Sequence, residues 1–259
     1  MLLRLLLTVT IVLLANTELD AQDNTPYQFK DVGITTQINR VLDKPIILYD
    51  SFNKPIDLNS LMGNKPTIIN FVYLNCPLLC HLMLDGLLNV IQESDYKINT
   101  DFQIISISID PNETNKNLLA YKTKYLDQLN QNTGWFFLRS TQDQIDAVTE
   151  FFGYHYNYIK RTNDFAHPSV IYFYNNKISN YIEGVTFDKK FFDYSLINIK
   201  SAKTIKEKIV TFCYYFDPES QTYSFLIFKI LRIICLITVL LLSILITWFL
   251  YKERKMKRH

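Results

Sequence analysis

Residues 67–89 constrain the fold most, because a strand-like run passes directly into a helix-like one. Residues 67–74 read TIINFVYL, a nearly continuous apolar and β-branched run that is typical of a central strand covered on both faces. From Pro77 onward the apolar residues recur at helical spacing, and proline suits a first helical position. Cys76 and Cys80 therefore lie where a predicted strand becomes a predicted helix.

The rest of the chain repeats this alternation. Short strands joined by a turn are predicted at 45–48 and 56–58. The later pattern predicts, in chain order, a strand at 102–109, a helix containing 118–125, a strand at 135–138, a helix at 141–152, a short strand at 154–159, a hairpin of 170–174 with 178–182, and a helix at 187–199. The sequence thus predicts an α/β protein, a central sheet flanked by helices, with its site at the carboxyl ends of the central strands.

Both ends of the chain carry membrane-directed patterns. Residues 1–21 have the layout of a secretory signal peptide, while the alternative of an N-terminal anchor is disfavoured by the short apolar run. Residues 233–251 carry no charge and would form about 28 Å of helix, so we predict a transmembrane helix within 225–251. The basic tail 252–259 indicates a cytoplasmic C-terminus, with the body of the protein on the other side of the membrane.

The charge distribution argues against a nucleic-acid partner. The whole chain carries a formal net charge of +2. Once the basic tail, the two basic residues before the apolar run and the predicted signal peptide are set aside, about −3 remains for the body. A mildly acidic domain lacks the basic surface that binds phosphates.

Cys76 and Cys80 are spaced for joint chemistry. Residues four apart on a helix share a face, and a helix N-terminus favours thiolate over thiol. Three interpretations are open at this point: two buried apolar residues, a redox-active disulfide pair, or a site for a soft metal ion.

His167 is the best candidate for a third partner. It lies directly before a predicted strand, where a loop would bring its imidazole over the cysteines, although such a histidine is often a surface or structural residue. His81 is expected to point away from the sulfur face, and His155 lies in a short aromatic strand. Two sulfurs and one nitrogen are too few ligands for structural zinc and suit low-coordinate copper.

Several motifs in series resemble the Sco/SenC family of copper chaperones, which share a thioredoxin-like fold. The matching segments are, in order, FVYLNCPLLC, SISIDPNET, GWFFLRSTQDQIDAVTEFFGYHY, and a histidine before VIYFYNNKISNYIEGVTFD. The chain is also similar to bacterial members with a C-terminal membrane helix. The polar, irregular residues 22–44 predict an extended lead-in, and residues 201–224 a juxtamembrane linker. Between them the resemblance implies a thioredoxin-like domain at 45–200. Together with the membrane-directed ends, it implies a single-pass protein of the bacterial inner membrane with its domain in the periplasm.

The resemblance also implies a function. Cys76, Cys80 and His167 would bind copper, as Cu(I) and also as Cu(II), for the binuclear copper site of cytochrome c oxidase subunit II or another copper-accepting protein. The alternative is a thiol-disulfide oxidoreductase in which Cys76 attacks and Cys80 resolves, keeping the acceptor's cysteines reduced. A metallochaperone needs no turnover, so we expect binding rather than an enzyme activity.

Two further residues are implied beside these ligands. Asp110 matches an acidic position of the family near the site, although a turn-forming or helix-capping role explains it equally well. Pro168 departs from the family pattern, in which serine follows the histidine. It removes a backbone donor and restricts His167 to extended conformations, and its peptide bond can be cis or trans.

Overall fold

A computed structural model describes residues 31–35, 37–74, 79–200, 203–205, 207–208, 214–217, 222–225, 234–243, 245 and 248. For residues 79, 80, 214–217 and 222–225 it describes the backbone alone. The predicted signal peptide, the basic tail and Cys76 lie outside the described residues.

The predicted alternation of strands and helices is present. The helices are α1 (Leu58–Met62), α2 (Leu79–Glu93), α3 (Asn115–Gln128), α4 (Gln142–Phe152) and α5 (Lys189–Ile199). The strands are β1 (Gly33–Ile34), β2 (Ile47–Tyr49), β3 (Pro55–Asp57), β4 (Thr67–Val72), β5 (Gln103–Ser108), β6 (Trp135–Leu138), β7 (Tyr154–His155), β8 (Asn157–Ile159), β9 (Asp164–Ala166), β10 (Val170–Tyr174), β11 (Ile178–Glu183), β12 (Tyr214–Asp217) and β13 (Thr222–Phe225).

The central sheet is mixed, with the strand order β11-β10-β4-β5-β6 among the described strands. Strands β4, β5 and β6 run parallel, whereas β10 is antiparallel to both β4 and β11. Asn70 in the middle of β4 lies opposite Ser106 of β5 and Ile171 of β10. The end of β4, the end of β5 and the start of β10 therefore meet at one edge of the sheet.

Strand β4 is buried along its whole length, as its apolar run predicts. Ile69 and Phe71 belong to a core that also contains residues of α1 and α4. Ile68 and Val72 belong to a second core with residues of α2, α3 and α5. Because each fully buried aliphatic or aromatic side chain contributes roughly 1.5–3 kcal/mol, both faces of this strand stabilise the sheet that carries the site.

Three short pairings were not predicted from the sequence. In the predicted lead-in, β1 pairs with β7, so this segment is tied to the domain. Strand β8 pairs with β9 in a hairpin that comes just before His167. Strand β12 pairs antiparallel with β13 in the predicted linker, and this pairing extends to Phe225, the first residue of the range predicted to hold the transmembrane helix.

The predicted transmembrane segment is described in part. Residues 234–243 are helical, and their apolar side chains are exposed. Within the described residues, no helix reaches the combined length and apolar character required to cross a membrane.

Candidate functional site

The sheet places two of the predicted site residues at one edge. Asp110 follows the end of β5 by two residues, and His167 precedes the start of β10 by three. Because β5 is parallel and β10 antiparallel to β4, both residues lie at the edge where β4 leads into the cysteine segment. Cys80 is the second residue of α2, its side chain is not described, and Cys76 is not described at all. The contact of either sulfur with His167 stays a prediction.

His167 is held through its Nδ1 atom. This nitrogen lies 3.0 Å from the hydroxyl oxygen of Tyr154 and 3.1 Å from the carbonyl oxygen of Pro168. The Tyr154 hydroxyl itself donates to that carbonyl at 3.0 Å. Burial lowers the pKa of His167, and the opposing effects of the Pro168 carbonyl and the charge of Asp164 are smaller. The ring is therefore neutral near neutral pH, which is the form that binds metal ions.

The His167–Pro168 peptide bond is trans, since no peptide bond among the described residues is cis. Proline lacks a backbone donor, but its carbonyl remains and accepts the hydrogen bond from Tyr154. The departure from the family pattern thus leaves His167 in a defined hydrogen-bonded position.

Tyr154 is fixed by packing on the core side of the sheet. Its ring centroid lies 4.5 Å from that of Phe71 in β4, and its side chain is buried. Further toward the sheet edge, the ring of Tyr73 meets that of Phe165 edge-on at 5.0 Å. This aromatic layer positions the segment between β9 and β10 that carries His167.

Asp110 is buried and forms a turn. Its Oδ1 atom accepts a hydrogen bond from the backbone N–H of Asn112 at 2.9 Å. Its own N–H donates to the hydroxyl of Ser108 at 3.2 Å. The turn-forming interpretation accounts for these contacts, and Asp110 also lines a cavity of about 440 Å³ with Tyr73 and Phe165. Its role beside the copper ligands stays a prediction.

Tyr121 of α3 is a site residue that sequence reasoning missed. Its hydroxyl donates to the carbonyl of Leu74 at 2.7 Å and lies 3.1 Å from Nε2 of His81. The rings of Tyr121 and His81 are also stacked, with centroids 5.5 Å apart. Leu74 directly precedes the cysteine segment and His81 directly follows it, so one tyrosine is bonded to both flanks. The regular apolar spacing of α3 predicts that Tyr121 faces inward but not which groups it meets.

Among the side chains that the structure describes, no three or more histidine, cysteine, aspartate and glutamate residues cluster as a metal site. The sulfurs of Cys76 and Cys80 are not among those side chains. Of the three predicted copper ligands, His167 is therefore the one whose side chain the structure describes.

Comparison with known proteins identifies a family whose members are similar to this chain. Residues 35–187, more than half of the chain, match the family model described as SCO1/SenC. Comparison with curated protein sequences finds no match.

Solved structures with a similar fold include the following three. A protein from Aquifex aeolicus VF5 shares 24% identity with a TM-score of 0.57, covering 65% of this chain and 98% of its own. A SCO1/SenC family lipoprotein from Bacillus anthracis shares 16% identity with a TM-score of 0.54, covering 63% and 97%. BsSco, a member of the Sco family of cytochrome c oxidase assembly proteins, shares 20% identity with a TM-score of 0.52, covering 66% and 99%. These likenesses confirm the predicted mixed α/β, thioredoxin-like fold.

Proposed function

This chain belongs to the SCO1/SenC family, and from that premise we propose that it is a copper-binding chaperone whose ligands are Cys76, Cys80 and His167. The observation that carries the proposal is the position of His167. The sheet brings it to the edge where the cysteine segment begins, with Nδ1 engaged and the ring neutral.

The predicted donors suit copper(I). Thiolates are soft ligands that select copper(I), and a neutral imidazole completes a low-coordinate site. Cys80 is the second residue of α2, where unpaired backbone N–H groups and the helix dipole favour the thiolate. With so few ligands, the ion can pass by ligand exchange to an acceptor that offers more.

The proposed acceptor is a cytochrome c oxidase subunit, or another protein with a copper site to be filled. BsSco, which shares the fold, is described as belonging to a family of cytochrome c oxidase assembly proteins. We place the domain on the periplasmic side of the bacterial inner membrane, tethered by a single transmembrane helix within 225–251. A tether raises the effective concentration of the chaperone near a membrane-bound acceptor.

The same two cysteines support a second candidate function, a thiol-disulfide oxidoreductase that keeps the acceptor's cysteines reduced. Cys76 attacks the acceptor disulfide, and Cys80 then resolves the mixed disulfide, so this chain's pair is oxidised as the acceptor is reduced. The position of Cys80 in the first turn of a helix favours thiolate chemistry of either kind.

The test is copper(I) titration of the full chain, reduced and purified in detergent, against a competing chelator of known affinity. We expect one copper(I) per chain in the wild type and at least about 10-fold weaker binding for His167→Ala, because a ligand is lost. His155→Ala is the matched control. His155 is another described histidine of the same domain, bonded to Thr35 on the short β1–β7 pairing.

Copper binding that is unaffected by His167→Ala would exclude this ligand set. Absence of tight binding, together with rapid turnover of an acceptor peptide disulfide, would favour the oxidoreductase. Loss of both properties in a Cys76→Ala, Cys80→Ala variant is expected in either case, so that variant serves as the negative control.

A further inference from the structure

The contacts of His167 fix the protonation of its ring. Three groups meet within about one hydrogen-bond length: Nδ1 of His167, the Tyr154 hydroxyl and the Pro168 carbonyl oxygen. A carbonyl oxygen accepts only, a hydroxyl has one proton to donate, and each nitrogen of a neutral imidazole is either donor or acceptor.

These rules leave one arrangement without a clash of lone pairs. If the Tyr154 proton pointed to Nδ1, that nitrogen would be an acceptor and its lone pair would crowd the Pro168 carbonyl oxygen 3.1 Å away. If Nδ1 carries the proton, it donates to the carbonyl and to the tyrosine oxygen, while the Tyr154 proton goes to the carbonyl. Every group then has a partner of the opposite kind.

We propose that Tyr154, with the carbonyl of Pro168, holds His167 as the Nδ1–H tautomer and thereby makes Nε2 the nitrogen that takes copper. The proposal rests on the function proposed above and names how this chain prepares its nitrogen ligand. Tyr154 is a positioning residue, because it contacts the ring and not the ion. Partners of this kind orient a ligating imidazole and raise its basicity.

The rigidity of Tyr154 supports this role. Its side chain is 2% exposed, and its ring packs against Phe71 of the central strand. Its own backbone is paired with that of Ile34 in the β1–β7 ladder. A hydroxyl on such a support stays in place, so the imidazole does not need to be reoriented when a metal ion arrives.

Tyr172 provides a matched control. It is another buried tyrosine, in β10, and its ring centroid lies 6.1 Å from that of Phe71. Within the described part of the chain, its hydroxyl has no hydrogen-bond partner. Tyr172→Phe therefore removes the same atom as Tyr154→Phe from the same core without removing a contact to His167.

The decisive measurement is 15N NMR of the metal-free full chain labelled at histidine, with the His167 signals identified by their loss in His167→Ala. We expect the wild type to be protonated at Nδ1. In Tyr154→Phe the share of the Nε2–H form should rise, and copper(I) affinity should fall about 10-fold or more. Tyr172→Phe should match the wild type in both measurements.

A wild-type ring protonated at Nε2 would overturn the proposal, even if copper binds tightly. So would a Tyr154→Phe variant with unchanged tautomer and unchanged affinity. The tautomer is measured without metal, so a failure of copper binding would contradict the proposed function but not the tautomer assignment. If Tyr154→Phe fails to fold, the wild-type spectrum alone still tests whether His167 is protonated at Nδ1.

Discussion

The hydroxyl of Tyr121 donates a 2.7 Å hydrogen bond to the carbonyl of Leu74, 47 positions earlier in the chain. Leu74 is the last described residue before the cysteine segment, and the same hydroxyl contacts His81 just after it. The hydroxyl lies within 3.3 Å of both ring nitrogens of the stacked His81 imidazole. Helix α3 thus restrains the backbone on both sides of Cys76 and Cys80.

Tyr121→Phe should weaken copper(I) binding. The variant keeps the ring that stacks on His81 and removes the hydroxyl that holds both flanks. One hydrogen bond contributes about 0.5–1.5 kcal/mol, so we expect a roughly 2- to 10-fold loss of affinity in the chelator titration. The free energy of unfolding should also fall by about 0.5–1.5 kcal/mol.

Tyr125→Phe is the matched control for that variant. Tyr125 lies one turn further along α3 and donates to Asp85 of α2 at 2.8 Å. It should lose stability of the same order and leave copper affinity unchanged. Equal effects of the two substitutions on copper binding would show that the bond to Leu74 has no special role.

Because of Glu207, the free energy of unfolding should fall as the pH is lowered below about 4.5. Burial would raise the pKa of this carboxyl, but hydrogen bonds from Thr204, Lys200 and Tyr96 outweigh it and lower the pKa from 4.5 to about 2. Below pH 4.5 the unfolded chain takes up a proton that the folded chain does not, so folding loses stability as the pH falls. The contribution is complete above pH 4.5 and is lost by about pH 2.

The corresponding variant is Glu207→Gln, measured by urea unfolding at several pH values. At pH 7 it should be roughly 1.5–3 kcal/mol less stable than the wild type, the range for hydrogen bonds to a charged group. The difference in the free energy of unfolding between the variant and the wild type should disappear near pH 2. The exposed Glu93, changed to Gln, should cost less than about 0.5 kcal/mol at either pH. A gap for Glu207→Gln that persists at pH 2 would contradict the assignment.

The fold was predictable where burial dictates the pattern. Strand β4 is covered on both faces, so its sequence is almost continuously apolar, and the β10–β11 hairpin is marked by Asn175 and Asn176. Asn176 has a φ of 59°, a conformation that asparagine tolerates better than most residues. Such local signals need no knowledge of the rest of the molecule.

The features that the sequence did not predict are of two kinds. Some are short strands whose sequence pattern is weak, and others are contacts between residues that are distant in sequence. Strand β8 lies within the predicted strand at 154–159, but β9 and its pairing with β8 were not predicted. Both strands are three residues long and carry Asn, Asp and exposed Tyr158, so they lack a clear apolar alternation. The hydrogen bonds of Tyr121 and Tyr154 follow from how helices and strands pack, which spacing along the chain does not encode. The sequence therefore indicates His167 as a candidate but not what orients its ring.

Gly86→Ala should destabilise the protein although it improves the intrinsic helix propensity of α2. Alanine is favoured over glycine by about 1 kcal/mol in a helix interior. However, a Cβ at this position would clash with the carbonyl oxygen of Val185, and a backbone atom cannot move aside as a side chain can. Overpacking typically costs about 1–3 kcal/mol, occasionally more, so we expect a net loss measurable by urea unfolding.

Asn89→Ala, at an exposed position of the same helix, should be neutral or slightly stabilising. A Gly86→Ala variant as stable as Asn89→Ala would mean that α2 does not approach the loop after β11 this closely.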